Sequence, residues 1–318
     1  MVILDASGRV RETYRDIETS RGTLVRLKTA AKRYDNLTVH LWQTGGGKQS
    51  FQKKGDKLVS GIAKTIDTKP DQRWLVVVHR SDAKVGNVER EVRSLITTPQ
   101  EHVSFISWGQ HMATNEFMNV PNVILAGTLF YRPSFYEALK RLAAGRPATK
   151  GNVTKDELER VMVGEHAHAI LQALCRGAVR RCDGEHCHPC DAYIIASVRS
   201  GIPDALPTVF PGCNVVRWQP VERTLRGHVR SAVEFIERWA QTAGVGDVLP
   251  FKVVAKELSI PSHSFKHDVR SHPDFIGAVS ELGVIETGKG KYFTGFALVD
   301  FADDSSVIRQ RNTSADAS

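Results

Sequence analysis

The 318-residue chain carries 43 Lys and Arg against 35 Asp and Glu, a formal charge of +8 with His neutral, and is long enough for one large domain plus a small one. That balance suits a polyanionic partner; no run of eighteen apolar residues offers a membrane-spanning helix, and Met1–Ser7 lacks the basic region and apolar core of a signal peptide. Five cysteines, four of them crowded between Cys175 and Cys190, do not form a disulfide framework and fit a reducing, cytoplasmic compartment.

Short apolar, β-branched runs occur at Val2–Leu4, Leu37–Trp42, Trp74–His79, His102–Ile106, Asn122–Ala126, Ala192–Val198 and Asn214–Trp218. Helical patterns lie between them at Leu58–Ile66, Gly86–Leu95, Ser134–Ala143, Lys155–Arg181 and Gly227–Thr242. This alternation predicts an α/β fold, a mostly parallel sheet flanked by helices. Gly45-Gly46-Gly47-Lys48-Gln49-Ser50 is close to a phosphate-binding loop. Trp42, however, stands where the first glycine is needed, and Gln49 where the magnesium-binding hydroxyl belongs. A flexible loop is the expectation there, with Lys48 at most a point charge for phosphate.

After Gly244-Val245-Gly246 the pattern changes, so a boundary is expected near residue 244. The domains are then 1–244, 245–302 and a loose Asp- and Ser-rich tail over 303–318. In the second block Pro250–Leu258 reads as a helix and Ser259-Ile260-Pro261 as a turn. Ser262 reads as the cap of a second helix running toward Leu282, followed by a glycine-bearing hairpin over Val284–Val299. This is a helix-turn-helix with a wing, a winged-helix-like α+β domain. Lys266, His267 and Arg270 fall on its second helix, and Lys289 and Lys291 on the wing, where they would meet nucleic-acid phosphate. The alternative is a packing module whose basic face is merely solvated.

Gln172, Arg176 and Arg180 are spaced by four, which places all three on one face of a continuous helix, able to address one ligand. A basic surface helix is the plainer alternative. Cys182, Cys187 and Cys190, with His186, His188 and Cys175 nearby, offer enough ligands for zinc, but only Cys187-x-x-Cys190 is a regular pair. A polar loop over Asp183–Pro189 is preferred to a metal site.

Three segments in order carry a family resemblance. Trp74-Leu75-Val76-Val77-Val78-His79-Arg80 resembles motif IV of superfamily-two helicases. Trp108-Gly109 with Ala113-Thr114-Asn115-Glu116-Phe117 and the following Val120–Thr128 stretch resembles motif V, and Gln172-x-x-x-Arg176-x-x-x-Arg180 resembles motif VI. In the family the last arginine lies three residues past the middle one, where this chain has Val179. The resemblance covers Trp74 to Arg181 and implies the second RecA-like domain of a DNA or RNA helicase, of phage or mobile-element type. It implies that Arg176 and Arg180 stabilise charge on ATP, that Gln172 orients the nucleotide, that Thr114 and Asn115 touch both ligands, and that Arg80 lies toward nucleic acid. Val2–Gly8 resembles the motif that closes a first RecA-like domain, so residues 1–20 read as the end of a preceding one. ATP and magnesium would then bind only with a partner domain, in cis or in trans, that carries the phosphate loop. The alternative is a stand-alone winged-helix DNA-binding adaptor or regulator on a degenerate helicase scaffold.

Overall fold

A computed structural model of the chain describes residues 7–26, 32–81, 86–110, 115–149, 151–197, 200–222, 225–289 and 292–298. It divides into two units, Met1–Val221 and Glu222–Ser318. The expected strand at Val2–Leu4, the expected sites Thr114 and Lys291, and the tail over 303–318 lie outside the described residues.

The first unit contains strands β1 (Leu37–Trp42), β2 (Trp74–Val78), β3 (Val103–Ser107), β4 (Asn122–Leu125), β5 (Cys182–Asp183), β6 (His186–Cys187), β7 (Cys190–Ile195) and β8 (Asn214–Arg217). Six form one sheet in the order β3-β2-β4-β7-β1-β8, every neighbouring pair parallel. Strands β2 and β4 are buried along their whole length, as their unbroken apolar sequence requires of strands covered on both faces. This is the mostly parallel α/β sheet flanked by helices that the alternation of elements predicts.

Its helices are α1 (Glu12–Asp16), continued by a π-helical turn over Ile17–Arg21, then α2 (Lys48–Ile66), α3 (Val88–Leu95), α4 (Pro133–Ala144), α5 (Lys155–Leu174) and α6 (Ile202–Val209). The connections from β1 through β2 to β3 put α2 and α3 on one face, where Leu58, Ile62, Ile66, Val88 and Val92 pack on Trp74, Val76 and Ile124. The return through β4 and β7 to β8 puts α5 and α6 on the other, where Ile170, Leu174 and Leu206 pack on Leu75, Val123 and Ile194. Right-handed crossovers require this division, because reversing direction along the sheet reverses the face that the helix covers.

Several expectations are corrected. The glycine-rich segment is a loop only as far as Gly47: α2 starts at Lys48, ten residues before the apolar periodicity begins, with Gly47 as its cap. A Cβ on Gly46 would stand 2.4 Å from the Ile195 carbonyl oxygen and 2.8 Å from the Gly127 Cα, so only glycine fits there. Helix α5 stops at Leu174 rather than continuing to Arg181, so Arg176 and Arg180 lie beyond it and share no helix face with Gln172. The described part of residues 1–20 packs within this unit rather than closing another domain. Arg11 makes a bidentate pair with buried Glu165 of α5 at 2.8 and 3.0 Å, and Lys140 of α4 meets Asp16 at 2.5 Å, both of these buried.

The second unit comprises α7 (Gly227–Ala240), β9 (Val248–Pro250), α8 (Phe251–Glu257), α9 (Ser262–Ser264) continued by a π-helical turn over Phe265–Val269, α10 (Pro273–Glu281), β10 (Val284–Lys289) and β11 (Tyr292–Leu298). Its antiparallel sheet runs β10-β11-β9. The unit begins at Glu222, not near 244, because α7 buries Val229, Ala232, Val233 and Ile236 in the same core as Phe265, Phe275 and Phe296. The helix expected from Ser262 to Leu282 is two. Pro273, unable to donate a backbone hydrogen bond, opens α10, and the His272 ring accepts from the Asp274 N–H at 3.2 Å.

Candidate nucleotide and nucleic-acid sites

Helix α5 sets one site. Thr154 and Glu157 form a reciprocal cap, the Thr154 hydroxyl accepting from the Glu157 N–H at 3.2 Å and the Glu157 carboxylate from the Thr154 N–H at 2.9 Å. That backbone bond, then Arg146, holds the Glu157 carboxyl down at about 2. From this cap the helix runs back over the sheet, ending at the edge where the strands begin. There Gly177 turns the chain: a Cβ would sit 2.5 Å from Val123 Cγ2 and 3.0 Å from the Val120 carbonyl oxygen. The Ala178 N–H then donates to Val120 O at 2.8 Å, at the entrance to β4.

This turn gathers most of the residues singled out in sequence. An Arg176 guanidinium nitrogen lies 3.4 Å from Gln172 Oε1, a long contact. Exposed Arg180 donates to the Asn115 amide oxygen, so the segments resembling motifs V and VI touch. Arg181 donates likewise to Asn119 at 2.7 Å. Lys32 fixes the backbone beneath, its ammonium donating to the carbonyls of Val179 at 2.6 Å and Arg180 at 2.9 Å. Desolvation, and then the like charge of Arg180, hold Arg176 below the ordinary guanidinium range. Two guanidiniums close enough to repel each other at an open edge attract an oxyanion, which relieves their repulsion and accepts their hydrogen bonds.

The same edge carries a network that sequence reading missed. Asp191 accepts from His40 Nε2 at 2.7 Å and from Lys69 Nζ at 2.7 Å, while Lys69 also reaches Asn122 Oδ1 at 3.2 Å. The hydrogen bond from His40 leads in holding the Asp191 carboxyl at about 2. Its members come from β1, the α2–β2 turn, β4 and β7; no local motif could have signalled it.

Arg80 sits apart, exposed just past the carboxyl end of β2, at the opposite edge of the sheet from Arg176 and Arg180. Next to it His79 donates through Nε2 to Gly46 O at 2.9 Å, and Gly127 closes against both. From this edge Phe130 and Tyr131 each project 44% exposed, and Tyr131 packs at a tilt against Phe135 with ring centroids 4.4 Å apart. Arg132 beside them is exposed. Phe130 also meets His166 edge-on at 4.3 Å, and the Tyr136 hydroxyl, which accepts from the Tyr131 N–H, donates to His166 Nε2 at 3.1 Å. Burial pushes the His166 imidazole down to about 4. The unbroken apolar strand before Phe130-Tyr131-Arg132 was the one signal available for this patch.

In the second unit Lys266 and His267 are exposed, and His267 stacks on His263 at 4.4 Å. Arg270 is not available as an exposed cation. It lies 3.5 Å over the Phe251 ring and pairs with Glu286 at 2.9 Å. Lys289 ends β10. Among the described residues no group of three or more His, Cys, Asp or Glu side chains converges as a metal site, nor is any helix long and apolar enough to cross a membrane.

No family model matches the chain. No curated protein matches it either. A solved structure designated XPD_APO aligns with 12% identity and a TM-score of 0.39 over 64% of this chain and 46% of that one. The chain thus spans under half of that structure's length, and the likeness is too loose to carry an argument.

Proposed function

We propose that the chain is the nucleotide-sensing, nucleic-acid-binding half of a superfamily-two-type helicase. Arg176 and Arg180 address the phosphates of ATP held on a partner domain, and the second unit acts as a winged-helix-like nucleic-acid binder. The observation that carries this reading is the hydrogen bond from Arg180 to Asn115 beside Arg176, which unites the two motif-like segments at the amino edge of a parallel sheet. Gln172 steadies Arg176 by its amide oxygen. Bound ATP would supply the high-energy phosphoanhydride; this chain's part is to place two cations against the charge that develops on it.

At the opposite edge Arg80, Arg132 and the exposed rings of Tyr131 and Phe135 suit a single strand, whose bases stack on aromatic rings while its phosphates meet arginine. Exposed Lys266 and His267 favour phosphate contacts by the second unit. A stand-alone DNA-binding adaptor is the second reading, favoured by the second unit's own hydrophobic core.

Inorganic tripolyphosphate, titrated into the labelled chain and followed by arginine side-chain NMR, tests the first reading. Shifts confined to Arg176 and Arg180 and binding weakened at least ~10-fold by Arg176→Ala with Arg180→Ala are expected. Unchanged binding by that double variant, with nucleic-acid binding abolished by Lys266→Ala, would establish the adaptor instead. Rapid ATP hydrolysis by the purified chain alone would overturn the need for a partner domain.

A further inference from the structure

The segment expected to be a polar loop over Asp183–Pro189 is instead built around a tight hairpin, β5 against β6, with Gly184 in the left-handed region at its turn. Its register sets Cys182 directly opposite Cys187. The Cys187 N–H donates away from the hairpin, to Arg33 O at 2.9 Å, while the flanking His188 N–H donates to Arg181 O at 3.0 Å. The two cysteines therefore face each other as a non-hydrogen-bonded pair. In such pairs the side chains lie on one face and the Cα atoms stand about 4.5 Å apart, inside the span a disulfide bridges. Cys182 is exposed and Cys187 buried, so one thiol meets solvent and the other waits behind it.

We propose that Cys182 and Cys187 form a reversible cross-strand disulfide, with Cys182 the site of attack on a peroxide oxidant. The Cys182 thiolate attacks a peroxide oxygen and the O–O bond breaks. A sulfenic acid forms on Cys182, and the departing hydroxide takes a proton to become water. The Cys187 thiolate then attacks that sulfur; the S–S bond forms, the S–O bond breaks, and a second hydroxide leaves as water. Two electrons pass from the thiols to peroxide, and the two thiol protons end in the two waters. Burial holds the Cys187 thiol above its ordinary range, opposed by the hydrogen bond from the Asn36 backbone and by the charge of Lys32, so the second step quickens as pH rises. The bond would lock the hairpin that begins two residues beyond Arg180.

Hydrogen peroxide added to the folded full chain, followed by alkylation of the remaining thiols and peptide mapping, tests this. Loss of two of the five thiols, found as one intramolecular Cys182–Cys187 link and restored by dithiothreitol, is the expected result. In Cys187→Ser the sulfenic acid on Cys182 should persist and be trapped by dimedone; in Cys182→Ser, an exposed change that leaves the core intact, the other four thiols should resist the same dose. A link between Cys187 and Cys190, a disulfide between two chains, or a persistent Cys182 sulfenic acid in the unmodified protein would overturn the assignment.

Discussion

At the scale of single residues, the sharpest energetic consequence belongs to His166. It is 1% exposed and its imidazole titrates near 4, so the folded chain excludes a proton that the unfolded chain takes up near 6.5. Between those values the unfolded state binds more protons, and stability rises with pH. As pH falls from about 6.5 to about 4, the first unit should lose roughly 3 kcal/mol from this residue alone, with no further loss below. Urea titrations across that window read it out, and His166→Gln should flatten the slope. Asp191 acts in the same direction at lower pH. Its carboxyl is depressed, so its contribution is complete above the ordinary carboxylate range and is lost only as pH falls toward 2. Aromatic side chains give a second test. Tyr131→Ala with Phe135→Ala should weaken binding of a single-stranded oligonucleotide by about 1–3 kcal/mol per stacked base, measured by fluorescence anisotropy, and leave tripolyphosphate binding untouched.

At the scale of elements, the strands were legible because burial on both faces writes an unbroken apolar run, as in Trp74–Val78 and Asn122–Leu125. Helix ends were not legible, because what fixes them is distant. The polar first turns of α2 carry no apolar period, yet the helix starts at Lys48, where the carboxyl ends of β4 and β7 crowd Gly46. Gly177 ends the α5 segment through Val120 and Val123, more than fifty residues earlier in the chain. Of the candidate site, Gln172, Arg176, Arg180 and Asn115 were singled out in sequence, but the shared helix face was not borne out, because α5 ends at Leu174. The Asp191–His40–Lys69 network was not legible, since its members come from distant parts of the chain. Two adjacent glycines make the test. Gly46→Ala should cost about 2–3 kcal/mol through backbone collision, whereas Gly47→Ala, whose Cβ would lie 4.0 Å from Phe130, should cost less than about 1 kcal/mol in urea unfolding.

At the scale of the whole molecule, the division at Glu222 makes α7 part of the second unit's core, although its amphipathic pattern resembles one more crossover helix in an α/β chain. A fragment of residues 222–298 should therefore unfold cooperatively, while one of residues 245–298, deprived of Val229, Ala232, Val233 and Ile236, should show no cooperative transition by circular dichroism. Nucleic-acid binding retained by the longer fragment and lost on Lys266→Ala would place phosphate recognition in that unit.

Strand β1 is flanked by β7 and β8 alone, with Leu37 opposite Cys190 and Thr38 opposite Asn214. During synthesis its partners emerge about 150 residues later, which at ribosomal rates of 5–20 residues per second is a wait of roughly 8–30 s. Over that interval an apolar strand stands with both edges bare, so the nascent chain is a client for chaperones. Slowing elongation across residues 100–190 should lower the soluble yield, whereas the second unit, with partners close in sequence, can fold almost as soon as it is made.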